Sequence, residues 1–278
     1  MKKTALVPLV TYPEPLPSDC LKAIVEFAGM ADCDLHALVL QANFPRVANA
    51  LSSLLLDVPK MIQDAEAQSR ANGDVLFSAI TKMAADAGVA IDAGARNSLP
   101  ELASDAAAEE ARYYDLSLVP IPRNGGQGPA LAEGLVFGSG RPAILVPETL
   151  GTRSLRHAVV AWDGSRVAAR AVNDALALLG EMEQVTVLSV LNEKPLPADD
   201  LGDKLAARLL KRGVPARAIA IELEDQPIGL TLQDFAVRDG AGLLVMGAYG
   251  HSRLRDFVLG GATKAILEDL RLPVLMSH

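Results

Sequence analysis

Short apolar runs alternate with longer stretches of helical periodicity along the whole chain. In the second half, "HAVVAW" (157–162) reads as a strand. The segment after it sets Ala168, Val172, Ala175, Leu176 and Leu179 on one helical face. A second strand, "VTVLSVL" (185–191), precedes a helix with Leu201, Leu205 and Leu209 in register, stopped by Gly213. Then come "ARAIAIE" (216–222), a helix carrying Ile228, Leu232, Phe235 and Ala236, the strand "GLLVMG" (242–247), a last helix and "PVLMSH" (273–278). The order is βαβαβαβαβ.

The first half follows the same order. "TALVPLV" (4–10), a helix near 18–31, "LHALVLQA" (35–42), helical segments to about 88, "VAID" (89–92), a helix near 100–113, "LSLVPI" (116–121) and "PAILVP" (142–147) succeed one another. Ser98 and Glu101 have the spacing of a capping box for the helix near 100. About 45 residues separate the second and third strands here, against about 24 in the second half. Val75, Leu76, Ala79, Ile80 and Met83 lie at helical spacing in that longer segment, which predicts structure there.

Parallel strands need helical crossovers, and continuous apolar runs such as "AILV" and "LLVM" suit strands buried on both sides. The pattern therefore predicts an α/β protein of two tandem doubly wound domains, 1–149 and 155–278. Each is expected to hold a five-stranded parallel sheet flanked by helices, with the boundary in "ETLGTRSLR" (148–156). "PAILV" and "PVLMS" would be edge strands that gain from being covered, and the two domains are expected to pack about a pseudo-twofold axis.

Composition narrows the functional classes. Half of the 278 residues are hydrophobic and 22% are charged, enough to bury real cores. Twenty-six basic against 34 acidic groups give a net charge of −8, which argues against nucleic-acid and membrane-surface binding. Cys20 and Cys33 fit no metal spacing and no disulfide framework, as expected of a cytoplasmic protein. The opening "MKKTALVPLVTYPEP" is broken by Pro8 and reads as a strand, not a leader. No metal-ligand spacing, phosphate-binding Gly-x4-Gly-Lys-Ser/Thr loop or Gly-x-Ser-x-Gly elbow is present, and no nucleophile–base pair stands out.

Candidate chemistry concentrates in "MGAYGHSRLRDFVLGGAT" (246–263). Ligands of doubly wound sheets bind beyond the carboxyl ends of strands, where the winding reverses. Gly247 and Gly250 would let a ligand approach the backbone, and the break at Gly260–Gly261 would free a helix N-terminus whose N–H groups attract an anion. Spacing alone leaves a helix cap and a kink equally open.

The spacing Gly-x2-Gly-x9-Gly at Gly247, Gly250 and Gly260 resembles the ATP-binding motif of the universal stress protein family. "VVAWDGS", "VTVLSVL" and "LPVLMSH" fit that family's first, second and last strands, fully in the second half and more faintly in the first. The resemblance implies an adenine nucleotide (ATP, ADP or AMP, with Mg2+ as a companion ion) held as a conformational or assembly switch. It places Asp163 by adenine and ribose, and the Val190 backbone against adenine. Gly247 would lie near the ribose, Gly250, Gly260, Gly261, Ala262 and Thr263 near the phosphates, and Met246 belongs to the same cofactor-binding set. Where the family's ATP binders carry Ser or Thr after the third glycine, this chain has Gly261, which removes a hydroxyl and keeps an N–H. A homodimer is expected; a nucleotide-free interaction scaffold and a slow ATPase are the alternatives.

The first half lacks the motif. Pro120 and Arg123 stand at the positions of the first two glycines, and no aspartate matches Asp163. Gly125, Gly126 and Gly128 offer an anion cradle or a flexible loop. One nucleotide site per chain is expected. In the second half, Asp163 or Ser165 is also a helix N-cap candidate; Trp162 reads as a core or interface residue ahead of an adenine-stacking one, and His251, Arg253 and Arg255 as solvated surface ahead of phosphate contacts.

Overall fold

In the computed structural model, the described residues are 2–45, 57–193, 196, 198, 200–223, 225–248 and 261–278. The first half runs β1 (Lys3–Val10), α1 (Ser18–Met30), β2 (Cys33–Ala42), α2 (Val58–Ala87), β3 (Ile91–Ser98), α3 (Ala103–Ala111), β4 (Leu116–Ile121), α4 (Gly128–Gly138) and β5 (Ala143–Pro147). The second half runs β6 (His157–Ala161), α5 (Arg166–Leu178), β7 (Gln184–Leu191), α6 (Leu201–Lys211), β8 (Ala216–Glu222), α7 (Ile228–Arg238), β9 (Leu243–Gly247), α8 (Gly261–Glu268) and β10 (Val274–Ser277).

All ten strands form one sheet in the order β3-β2-β1-β4-β5-β10-β9-β6-β7-β8. Each half supplies five parallel strands. The halves meet antiparallel, with Val274 opposite Leu145, Leu275 opposite Ile144 and Met276 opposite Ala143. The two closing strands thus cover each other's edges, which removes two exposed ladders at once. Two cores follow from the alternation of side chains across the sheet. On one face α1, α2, α5 and α6 bury residues such as Phe27, Ile80, Ala171 and Leu209. On the other α3, α4, α7 and α8 bury Ala107, Leu135, Ala236 and Ile266.

The helical pattern in the long first-half segment becomes α2, a 30-residue helix starting at Asp57, whose side chain accepts from the Lys60 N–H at 3.2 Å. Its buried face is Gly73, Leu76, Ile80 and Ala84, and Val75 points outward, 68% exposed. Two local expectations differ. The third strand begins at Ile91 and runs on to Ser98, because its register continues to Ala42 opposite Ser98. Ser98, held in that ladder with its carbonyl accepting from Asn43, caps no helix. The chain makes a 3₁₀ turn over Pro100–Leu102 before α3, and neither cap residue there, Leu99 or Leu102, makes a side-chain cap bond.

In the second half the chain steps outward from β6 through β7 to β8. Then α7 carries it back to β9 on the other side of β6. The winding therefore reverses between β6 and β9, where the strand ends leave a crevice.

Candidate functional site

The crevice between β6 and β9 holds a cavity of about 150 Å³. The sheet supplies its floor with Ala161, Leu188, Val190 and Met246. Ile228 and Leu232 of α7 form an apolar wall. The opposite walls are helix beginnings: Ser165, Val167 and Ala168 at the start of α5, and Gly261, Ala262 and Thr263 at the start of α8. Trp162, Asp163 and Glu193 stand at the strand ends, with Leu196 beyond them.

The local chemistry follows from where the strands stop. Along β7, Val185 donates its N–H to the Pro215 carbonyl on the β8 side, and Leu188 accepts from the Trp162 N–H on the β6 side. Even-numbered residues thus face β6. Since β6 ends at Ala161, Val190 turns its N–H and carbonyl toward the cavity, where no strand continues. After β6 the chain turns through Gly164 (φ 74°), and Asp163 Oδ1 accepts from the Ser165 N–H at 2.9 Å. Ser165 is the N-cap of α5, its hydroxyl accepting from the Ala168 N–H at 3.2 Å. Of the two cap candidates, Ser165 takes the role and Asp163 braces the turn before it. Trp162 donates its indole N–H to the Leu201 carbonyl at 3.1 Å and packs against the core.

Gly247 has a reason that its sequence position does not reveal. A Cβ there would lie 2.5 Å from the Ala168 N and the Val167 carbonyl carbon. The glycine admits the first turn of α5 against the end of β9. On α7, a Cβ at Gly229 would lie 2.4 Å from the Ala262 carbonyl oxygen, so this glycine seats the first turn of α8. At Gly261 a Cβ would meet nothing within 4 Å.

Seven of the nine sequence candidates lie together around this cavity: Asp163, Val190, Met246, Gly247, Gly261, Ala262 and Thr263. Gly250 and Gly260 lie outside the described residues, as do His251, Arg253 and Arg255. Sequence reasoning missed Glu193, Val167, Ala168, Leu188 and Leu196 as lining residues, and gave Ile228 and Leu232 only a packing face. Their signal was present in part: Leu188 is two positions before Val190 on the same strand face, and Glu193 follows the strand's end.

The matching crevice of the first half, beside the ends of β1 and β2, is nearly filled, with about 10 Å³ left. Gln127 donates its carboxamide N–H to the Tyr12 carbonyl. Thr11 donates to the Leu40 carbonyl at 2.7 Å and its hydroxyl lies 2.6 Å from that of Ser69, while Asn72 donates to the Thr11 carbonyl. The helix α2, 30 residues long against 11 in its second-half counterpart α6, therefore packs over this end. Gly125, Gly126 and Gly128 spend their N–H groups on the carbonyls of Pro122, Asn124 and Gly125, which excludes the anion cradle.

The family model of the universal stress protein family matches residues 154–278, the half that carries the cavity. A universal stress protein from Archaeoglobus fulgidus DSM 4304 resembles the whole chain in fold, with a TM-score of 0.68 at 13% identity over 98% of this chain and 97% of that one. Universal stress proteins from Pseudomonas aeruginosa UCBPP-PA14 (putative; 15% identity, 99% and 93% coverage, TM-score 0.49) and Burkholderia pseudomallei (25% identity, 44% and 95% coverage, TM-score 0.33) also match. Comparison with curated proteins finds no match. Among the described residues no helix is long and apolar enough to cross a membrane.

Proposed function

We propose that the second half binds an adenine nucleotide in the cavity between β6 and β9, and that occupancy switches the chain's affinity for partners. The observation that carries this reading is the cavity itself, an apolar slot at the winding reversal with the N-termini of α5 and α8 at its rim. A flat base fits the slot between the sheet floor and the Ile228–Leu232 wall, with its edge against the backbone N–H and carbonyl of Val190. Asp163 is placed for ribose hydroxyls, and the first turn of α8 faces the phosphates, since the first four N–H groups of a helix lack helical partners.

The proposed ligand is a nucleotide carried with Mg2+ that its own phosphates and water would mostly hold, with Asp163 and Glu193 among the residues lining the cavity. Bound nucleotide acts as a switch only by favouring one of two states of the chain. The chain's other contacts constrain assembly: with β5 and β10 already paired inside one chain, a homodimer would meet through another surface. The free, buried thiols of Cys20 and Cys33 suit a reducing cytoplasm.

Equilibrium titration with ADP tests the reading. The native chain is expected to bind saturably, and Ala262→Phe, which fills the cavity from the half-buried first turn of α8, to abolish binding with an unchanged melting temperature. Absence of saturable binding in the native chain overturns the reading.

A further inference from the structure

Helix α2 buries one face, Ser69, Gly73, Leu76, Ile80 and Ala84, and turns the opposite face outward along its length. Exposed apolar side chains scattered on a surface are ordinary. This outward face is not scattered, because its residues complement one another when the helix is reversed. Near its ends stand Lys60 and Asp64, then Lys82 and Asp86, all exposed. Among the described residues none of these four side chains forms an ion pair, although Lys22–Glu26 and Lys264–Glu268 close at the same four-residue spacing.

We propose that this face pairs with α2 of a second copy of the chain, the two helices running antiparallel about a twofold axis beside Gly73. Reversal about Gly73 sets Lys60 against Asp86 of the second copy and Asp64 against its Lys82, so that every charge meets its opposite. Parallel pairing in register would set like against like. The same reversal places Met61, 59% exposed, against Ala85, and Val75, 68% exposed, against Ala71. A large side chain faces a small one each time, and Gln68 falls opposite Ser78. From Met61 to Ala85 these positions recur at alternating intervals of three and four residues, the spacing of a seam between two helices. The seam from Lys60 to Asp86 spans about 39 Å at the rise of an α-helix, and the symmetry repeats each contact twice. With β5 and β10 paired inside one chain, assembly is left to a surface such as this. The proposal does not rest on nucleotide occupancy.

Sedimentation equilibrium of the full chain without nucleotide tests it. The native chain is expected to be a dimer at micromolar concentration, weakened as salt is raised. Lys82→Asp brings Asp64 of the second copy against a carboxylate and is expected to weaken dimerisation by about tenfold or more, and adding Asp64→Lys to it restores the dimer. Ala71→Glu, at an exposed helical position beside the axis, is expected to leave a monomer. Far-ultraviolet circular dichroism stays native in all three variants, since the positions changed are exposed. A monomeric native chain overturns the proposal. So does a dimer that survives Ala71→Glu or Lys82→Asp undiminished, or a charge-swapped double variant that stays dissociated.

Discussion

At the scale of single residues, the glycines around the cavity do three different jobs. Gly247 makes room for the backbone of α5, Gly229 for that of α8, and Gly261 makes room for nothing in the chain. Gly247→Ala should therefore destabilise the fold by about 2 kcal/mol, as overpacking against backbone does, while Gly261→Ala should be neutral or stabilising by about 0.5 kcal/mol from helix propensity. Urea unfolding of the two variants measures the contrast; equal effects would contradict these roles. The sequence made Gly247 conspicuous but not its reason, because the clash involves residues 80 positions away and only folding brings them together. The buried thiols behave as a pair: burial pushes both Cys20 and Cys33 from the ordinary 9.0 up to about 12. Unfolded thiols ionise first as pH rises, so this contribution to stability is complete below pH 9 and disappears as pH climbs through about 12. A thiol reagent at pH 8 is expected to label neither cysteine until denaturant is added, and rapid labelling of the native chain would contradict their burial.

At the scale of elements, α7 and α8 form one wall of the cavity, and their spacing is set at Gly229, which does not line it. Gly229→Val is expected to push the first turn of α8 outward and weaken ADP binding by tenfold or more while the far-ultraviolet circular dichroism stays native. Unchanged affinity would show that α8's position is set elsewhere. Nearly every element was legible from period and strand composition, since strands buried on both faces leave continuous apolar runs such as "LLVM". The capping box at Ser98 and Glu101 misled because tertiary pairing with β2 drew Ser98 into a strand. The helix α4 within "GPALAEGLVFG" went unseen beside the glycines that precede it. Of the site, the strand-end residues were legible through the motif. Ile228 and Leu232 were not, because an apolar residue facing a cavity has the same pattern as one facing a core.

At the scale of the molecule, ten strands joined through β5 and β10 set two crevices on one sheet, and the chain treats them unequally. The first is closed by Gln127, Tyr12 and the long helix α2; the second stays open between β6 and β9. Central to this account is the proposal that the second crevice takes an adenine nucleotide and the first takes none. Calorimetric titration of the full chain with ADP tests this most directly: the account predicts a stoichiometry of one per chain, lost in Ala262→Phe. Two equivalents per chain, none, or one that survives that substitution would contradict it.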